Sequence, residues 1–464
     1  MTDREFAIDV VRCLRQSGFE ALWAGGCVRD ELLGLVPADY DVATSARPEQ
    51  VVQTFRKTVE VGASFGVVEV IGPRRADSSF AKVQVATFRS DGAYVDGRRP
   101  ESVTFSSPKE DAERRDFTIN GMFFDPLDGR VIDYVGGQAD LQAKVLRAIG
   151  DPKARFREDK LRLLRAVRMA ARFGFPIEPQ TAAAIREMAP QITVVSAERI
   201  AEELRKMLAH PNRAWALQQL DELGLLRHVV PEVDNAMKGL PQGFPNAPTG
   251  DLWQHTLRVM EVLDGPQWPA PAPVSFSLAF AALLHDVGKK RTAARAGDRY
   301  TFHGHEHIGK RLAGVACRRL KLSNAETVRV EWLVERHQYL CDAPTMRASK
   351  LKPILVHPGI GELLALHRAD SVASGRSVAH VEFCERILRD TPAEELNPPP
   401  LLTGDDLNAL GWEQGPLFKR VLDAVRDAQL AGTIRTKDDA IRLAEATRGF
   451  TAEGAEGAKK KPKE

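Results

Sequence analysis

The sequence predicts an α+β protein, with a mixed strand-and-helix unit at its N-terminus and helical units after it. Three observations carry this. Short β-branched runs, VVEVIG (67–72) and KVQVATF (82–88), alternate with helix-like pieces and glycine-bearing loops across residues 1–150. From Pro152 onward the pattern becomes helical, as in REDKLRLLRAVRMAARF and SAERIAEELRKMLA, the second opened by Ser196 as an N-cap. Pro- and Gly-rich punctuation then separates further helical patterns, at PEVDNAMKGLPQGFPNAPTG (231–250) and TPAEELNPPP (391–400).

These signals divide the chain into an α/β unit at 1–150, a helical unit at 151–230, a histidine-bearing helical unit at 251–390 and a last helical unit at 400–447. Residues 448–464, ending AEGAEGAKKKPKE, read as a disordered tail. A chain of 464 residues is long enough for several such cores. No apolar run approaches the roughly 18 residues of a membrane span, which excludes a membrane partner of that kind. The amphipathic start, MTDREFAIDVVRCLRQ, lacks the pattern of an export signal. Five cysteines without a CxxC pair argue against a disulfide framework and against a cysteine zinc site, so a cytoplasmic setting with reduced thiols is expected. A net charge of +2 is too small to signal nucleic acid, and any such partner must show as local clustering.

The first chemical signal is LWAGGCVRDELLGL (22–35). Its apolar lead-in reads as a strand, Gly25-Gly26 as a tight turn and Val28 onward as a helix. Glycines let the backbone approach a phosphate closely; N–H groups at a helix start and the Arg29 side chain supply donors and charge. Alone, such a turn is more often a plain connection. Asp39-Tyr40-Asp41 shifts the balance, because strand residues two apart share a face and both carboxylates can reach one ion or a pair of ions. Mg²⁺ takes few carboxylates together with phosphate oxygens and water. A turn that cradles phosphate beside a metal-holding pair points to nucleotidyl transfer.

GGCVRD followed by DYD resembles the signature of the polymerase β-type nucleotidyltransferases, with the spacing of the class II branch that holds CCA-adding tRNA nucleotidyltransferases and bacterial poly(A) polymerases. ERRDFTINGMFFDP (113–126), DYVGGQADLQAKVLR (133–147) and REDKLRLLRAVRMAARFGF (157–175) are similar to that family's next motifs, in order. The resemblance implies a polymerase β-type head, an all-α neck, and HD and tail domains. It implies that Asp39 and Asp41 hold Mg²⁺, that Gly25, Gly26, Arg29 and Arg115 serve the triphosphate, and that Asp116 accepts from the ribose hydroxyl. On the fourth segment, read as one continuous helix, Leu163, Leu164, Val167, Ala170 and Ala171 fall on one side and Arg162, Arg165, Arg168 and Arg172 on the other. Asp159 and Arg162 stand one turn apart. The resemblance assigns this pair to the Watson–Crick edge of the incoming base, and Arg165 and Arg168 to the nucleotide or its phosphates. An arginine fork donates to the acceptors of C and a carboxylate accepts from the amino group that C and A share, a combination U and G lack. The bland alternative is a solvated or RNA-binding arginine face.

Residues 87–105 resemble the loop that CCA-adding relatives need for the final A, and 61–70 resemble the CCA form of their strand, although Ala63-Ser64 and GRRP depart from the common pattern. WQHTLRV, LLHDVGKK and Asp370 in LHRADS look like an HD phosphohydrolase domain. There His255, His285, Asp286 and Asp370 match the ligands of a divalent metal of open identity, with His305 and His337 where two-metal relatives hold another ion. The segment 401–444 is similar to the tRNA-contacting region of the same enzymes. The expected activity is therefore addition of CCA to tRNA from CTP and ATP, with a phosphohydrolase activity in the HD domain. The alternatives are a poly(A) polymerase, an enzyme adding only CC or only A, and a protein that is chiefly an HD phosphohydrolase and binds RNA.

Overall fold

The computed structural model of the chain describes residues 1–62, 66–75, 78–92, 103–241, 250–263, 274–297 and 299–458. Ala63-Ser64, most of the loop read at 87–105 and the terminal lysines fall outside the described residues. The chain forms two units, residues 1–235 with 318–322 and residues 236–317 with 323–464.

In the first unit, helix α1 (Asp3–Gln16) opens on a capping box in which Thr2 Oγ1 accepts from the Glu5 amide at 3.2 Å and Glu5 accepts from the Thr2 amide at 2.7 Å. It buries Phe6, Val10, Val11 and Leu14. The strands are β1 (Ala21–Ala24), β2 (Asp41–Thr44), β3 (Thr58–Gly62), β4 (Val67–Arg74), β5 (Phe80–Thr87), β6 (Arg89–Asp91), β7 (Val103–Phe105), β8 (Phe123–Asp125) and β9 (Arg130–Ile132). Seven of them form one sheet in the order β3-β4-β5-β2-β1-β8-β9, while β6 and β7 pair separately. Only β2 and β5 run parallel among its neighbours, with Asp41 opposite Gln84. Along β5, Ala81, Val83, Val85 and Thr87 point inward, the period-two pattern that marked KVQVATF as a strand. Both predicted strand runs are strands.

Helix α2 (Gly26–Leu32) follows β1 directly. The helical part of this unit includes α3 (Pro152–Glu158), α4 (Arg162–Phe173) and α5 (Ala197–Leu208). Leu163, Leu164, Val167, Ala170 and Ala171 of α4 are all buried, as the periodicity predicts. Each large aliphatic side chain so buried contributes roughly 1.5–3 kcal/mol, more than a surface ion pair at roughly 0–1 kcal/mol. The apolar face therefore seats α4, and its arginines lie on the other side of the helix. Ser196 is the N-cap of α5, but its side chain makes no capping hydrogen bond to the helix.

The second unit is built on α6 (Leu252–Val262), α7 (Phe276–Leu284), α8 (His305–Arg319, entering the first unit at its end), α9 (Asn324–Arg336), α10 (Ile360–Ala373) and α11 (Ala379–Asp390). Helix α7, FSLAFAALL, is apolar on nearly every side and almost wholly buried. A C-terminal cluster centred on Leu407, Val421, Val425 and Ala440 closes a small core of its own. The last helix, α12 (Lys437–Ala458), runs into the stretch read from sequence as a tail. Among the described residues no helix is long and apolar enough to cross a membrane.

Candidate active site and metal centre

The diglycine turn joins β1 to α2. Gly25 is the N-cap with φ 73°, and a Cβ there would lie 2.7 Å from Arg115 Nη1. Both the backbone angle and the close approach require glycine. The helix starts at Gly26, earlier than the expected Val28, because the positive-φ residue reverses the chain in a single step. Arg29 is 4% exposed. It donates to Asp30 at 2.8 Å and to Asn120, and it lies over the Phe173 ring at 4.6 Å. Asp30 is shared with Arg172 at 3.0 Å. Arg29 thus enters the site already braced by a carboxylate.

Only Asp41 of the DxD pair lies in a strand, at the first position of β2, and Asp39 precedes it. The alternation holds nonetheless. Tyr40 is buried, donating to Glu31 at 2.7 Å and meeting Trp23 at 4.8 Å between ring centroids, while Asp39 and Asp41 both line one cleft. Burial, then the charge of Asp39, push the Asp41 carboxyl up to about 6, against Arg115. Two carboxylates crowded so that one resists ionisation are relieved by a divalent cation, so this donor pair fits such an ion.

The cleft has a volume of about 620 Å³ and is lined by Gly25, Gly26, the two aspartates and eight arginines. Arg114 and Arg115 are both anchored on buried Asp111, at 2.6 and 2.9 Å. Burial would raise Asp111, but the two guanidinium groups outweigh it and hold the carboxyl below its ordinary value. Asp116 is likewise buried, yet Arg165 and the Asn120 amide hold it well below the usual carboxylate range. Its Oδ2 accepts from Arg165 at 2.6 and 2.9 Å, and its Oδ1 from the Phe117 amide at 2.8 Å and Asn120 at 3.0 Å. Asn120 therefore links Arg29 to Asp116. The third motif braces this turn from behind, where Asp140 accepts from Thr118 at 2.7 Å.

The helix expected over 157–175 is broken. α3 ends at Glu158, α4 begins at Arg162, and Asp159 between them is extended, with φ −140° and ψ 107°. The cause is local: Asp159 Oδ1 accepts from the Leu161 amide at 3.0 Å, an aspartate turn that competes with the helical ladder. Asp159 and Arg162 consequently do not pair through their side chains, although the Arg162 amide donates to the Asp159 carbonyl at 3.0 Å. Asp159 is held by Arg199 of α5 at 2.7 Å. Arg162 donates to Glu158 at 2.6 Å and to the carbonyls of Arg155 and Arg114, each at 3.0 Å. Both still line the cleft with Arg165 and Arg168. Every arginine on that face has its carboxylate, Arg168 with Glu203 at 2.5 Å and Arg172 with Asp30. Sequence reading missed Asn120, Arg199, Glu203 and Asp111; the Arg199/Glu203 spacing on α5 was the only hint, and it reads equally as a solvated face.

The second unit gathers His255 of α6, His285 and Asp286 just after α7, His305 at the start of α8, His337 just after α9 and Asp370 of α10, all buried. His255 and His285 present Nε2 atoms 3.3 Å apart, and His305 and His337 do so at 3.2 Å. Nδ1 of His285, His305 and His337 lies 2.7–2.8 Å from the carbonyls of Ala282, Phe302 and Val334. Each Nδ1 is thereby the donor, and each Nε2 turns a lone pair toward the others. Asp286 spans both pairs: Oδ2 lies 3.3 Å from His285, and Oδ1 lies 3.6 Å from both His305 and His337 with no hydrogen-bond partner. Asp370 Oδ1 lies 3.1 Å from His255 Nε2. Converging imidazole lone pairs around a buried, unsatisfied carboxylate oxygen fit divalent ions. Lys289, 2.7 Å from Asp286, is a further member that sequence reading did not name.

The sequence matches the "Poly A polymerase head domain" over residues 21–147, the "Probable RNA and SrmB- binding site of polymerase A" over 174–237 and the "HD domain" over 252–374. The CCA-adding enzyme of Geobacillus stearothermophilus is 44% identical over 220 residues, 47% of this chain and 53% of that protein. That of Bacillus subtilis is 42% identical over 215 residues, 46% and 52% of the two chains. The chain thus spans about half the length of the curated relatives it matches. In fold, the Bacillus stearothermophilus CCA-adding enzyme in complex with CTP superposes with a TM-score of 0.71 at 28% identity, covering 98% of this chain and all of the other. The Thermotoga maritima CCA-adding enzyme complexed with tRNA shares the fold, with a TM-score of 0.60 at 19% identity over 96% and 95% of the chains. Head, RNA-binding and HD segments following one another on this fold show that the chain belongs to the tRNA nucleotidyltransferase/poly(A) polymerase family and carries an HD domain.

Proposed function

We propose that the chain is a Mg²⁺-dependent, template-independent nucleotidyltransferase that adds C, C and A from CTP and ATP to the 3′ end of tRNA in the cytoplasm, and that its HD centre is a metal-dependent phosphohydrolase. The observation that carries the first part is one cleft lined together by Asp39, Asp41, Asp159 and eight arginines. The names of its relatives, including structures with CTP, with ATP and with tRNA, support the substrates.

Asp39 and Asp41 would hold Mg²⁺, which when bound activates the attacking hydroxyl and stabilises the leaving pyrophosphate. Gly25 and Gly26 give the triphosphate access to backbone donors, and Arg29 and Arg115, each anchored on a carboxylate, offer fixed positive charge. Asp116, held ionised, is the residue that the resemblance gives to the ribose hydroxyl, which would share or displace one of the four hydrogen bonds the carboxylate now accepts. For the base, Arg162 spends three of its five N–H donors on protein acceptors, leaving Nε and one Nη2 hydrogen for ring acceptors. Asp159 keeps lone pairs for an exocyclic amino group while Arg199 fixes its orientation. Recognition of tRNA by shape and backbone accords with the reading of the C-terminal helices as its contact.

The decisive experiment offers tRNA lacking its end with CTP plus ATP, or with ATP alone, and sequences the products. CCA ends support the proposal; A tracts made from ATP alone establish a poly(A) polymerase, and CC or A alone a partial enzyme. Asp159→Ala is expected to reduce discrimination of CTP and ATP against UTP and GTP by roughly 10- to 100-fold, the worth of one bidentate base contact, and Arg199→Ala to do the same more weakly. An unchanged nucleotide spectrum in both removes the protein-template reading.

The raised Asp41 carboxyl adds a pH test. Its folded value, about 6, exceeds the ordinary 3.8, so the folded protein holds this proton more tightly than the unfolded chain and loses that advantage as pH climbs through about 6. Mg²⁺ must displace the proton. Calorimetric titration with Mg²⁺ at pH 6 is expected to release roughly half a proton, with none released at pH 8 and none in Asp41→Asn.

A further inference from the structure

Beside the HD centre, but sharing no ligand with it, Cys341, His367 and His380 bring potential donor atoms within 4.8 Å of one another. They come from three elements: the turn after α9, helix α10 and helix α11. His367 is 1% exposed, and its Nε2 lies 3.1 Å from the Arg336 carbonyl. That contact makes Nε2 the donor and leaves the Nδ1 lone pair directed elsewhere. A backbone carbonyl on the far nitrogen is the arrangement that orients a ligating imidazole. The His380 Nε2 is buried with no hydrogen-bond partner. The two rings stand edge to face with centroids 5.4 Å apart. Cys341 is exposed, so the cluster has one side open to solvent. The nearby cation of Arg376 is paired with Asp370 at 2.6 Å, which reduces its opposition to a further positive charge.

The geometry points to a separate metal site, Cys341–His367–His380, that takes a borderline-soft divalent ion such as Zn²⁺ through one thiolate and two imidazoles, with water at the open side. Thiolate with imidazole selects zinc over the oxygen-preferring ions expected at the Asp39/Asp41 pair. Binding replaces the thiol proton with the metal, so one proton leaves per ion. A filled site cross-links the turn that follows His337 to the helix that carries Asp370, and so fixes two ligands of the neighbouring HD centre in place.

Co²⁺ serves as the probe, because a cobalt–thiolate bond gives a near-ultraviolet charge-transfer band and the HD centre contains no sulfur. Titrating metal-depleted full-length protein is expected to develop this band up to the amplitude of one cobalt–thiolate centre per chain, whatever further Co²⁺ the sulfur-free sites take up. The band is expected to persist in Asp286→Asn and to vanish in Cys341→Ser, with far-ultraviolet circular dichroism unchanged. Elemental analysis after Zn²⁺ loading and dialysis is expected to show one zinc fewer per chain in Cys341→Ser than in the wild type. Absence of the band at saturating Co²⁺, or its survival in Cys341→Ser, overturns the site. Should Cys341→Ser lose helicity, His380→Gln provides the same comparison, and an undiminished band there overturns the site equally.

Discussion

Asp41→Ala is expected to reduce nucleotide addition by roughly 10³- to 10⁴-fold while leaving the thermal unfolding of the protein no lower than wild type. The size follows from the several kcal/mol that bound metal ions supply to such a step, at 1.36 kcal/mol for each factor of ten. The sign of the stability effect is less obvious and more telling. Asp41 is a buried carboxyl whose titration is raised by burial and by Asp39, so in metal-free protein at neutral pH its charge opposes folding. Removing it relieves that opposition. A purely structural aspartate would behave the other way, losing stability together with activity. Single-nucleotide addition measured in quenched flow, with unfolding followed in EDTA, separates the two. Transfer at near wild-type rate refutes the metal assignment; loss of activity accompanied by a large drop in stability shows a structural role instead. The Asp286-dependent chemistry lies in the other unit and is expected to continue in this variant.

How much of this was legible beforehand depended on whether a feature is local in sequence. The strands at 67–74 and 80–87, the diglycine turn, the DxD alternation and the apolar face of α4 were legible because periodicity and φ requirements act over a few residues. The break between α3 and α4 was not. There the 3.6-residue pattern continues unbroken in sequence, yet one aspartate side chain captures the Leu161 amide and turns the chain. The bracing groups were also hidden. Asn120, Asp111, Arg199 and Glu203 reach their partners across the fold, and in sequence they are indistinguishable from solvated polar residues. The candidate HD residues were legible as a resemblance, but the position of Asp286 between two histidine pairs required coordinates. The Cys341 cluster carries no spacing motif at all, because its residues meet only through the packing of α10 and α11 against the turn after α9.

Asp286→Ala is expected to abolish metal-dependent phosphoester hydrolysis and to leave CCA addition intact. Among the described residues Asp286 is the carboxylate that approaches both histidine pairs, so its loss affects both halves of the centre at once, whereas loss of His255 or His305 removes one imidazole from one pair. It also anchors Lys289, itself 4% exposed, at 2.7 Å. Deleting one partner of a buried ion pair typically costs about 3–5 kcal/mol, so the alanine variant is expected to unfold earlier in its second unit. Asp286→Asn preserves shape and can still accept from Lys289, but it supplies a poor metal ligand. Hydrolysis of a chromogenic phosphodiester with Ni²⁺, Mn²⁺, Co²⁺ or Mg²⁺ added separately, run beside CCA addition on the same preparations, distinguishes the causes. Loss of hydrolysis in Asn as well as Ala, with addition unchanged, assigns the chemistry to this centre. Full hydrolysis in the Asn variant dismisses Asp286 as a ligand, and loss of addition in both shows that the two units do not work independently.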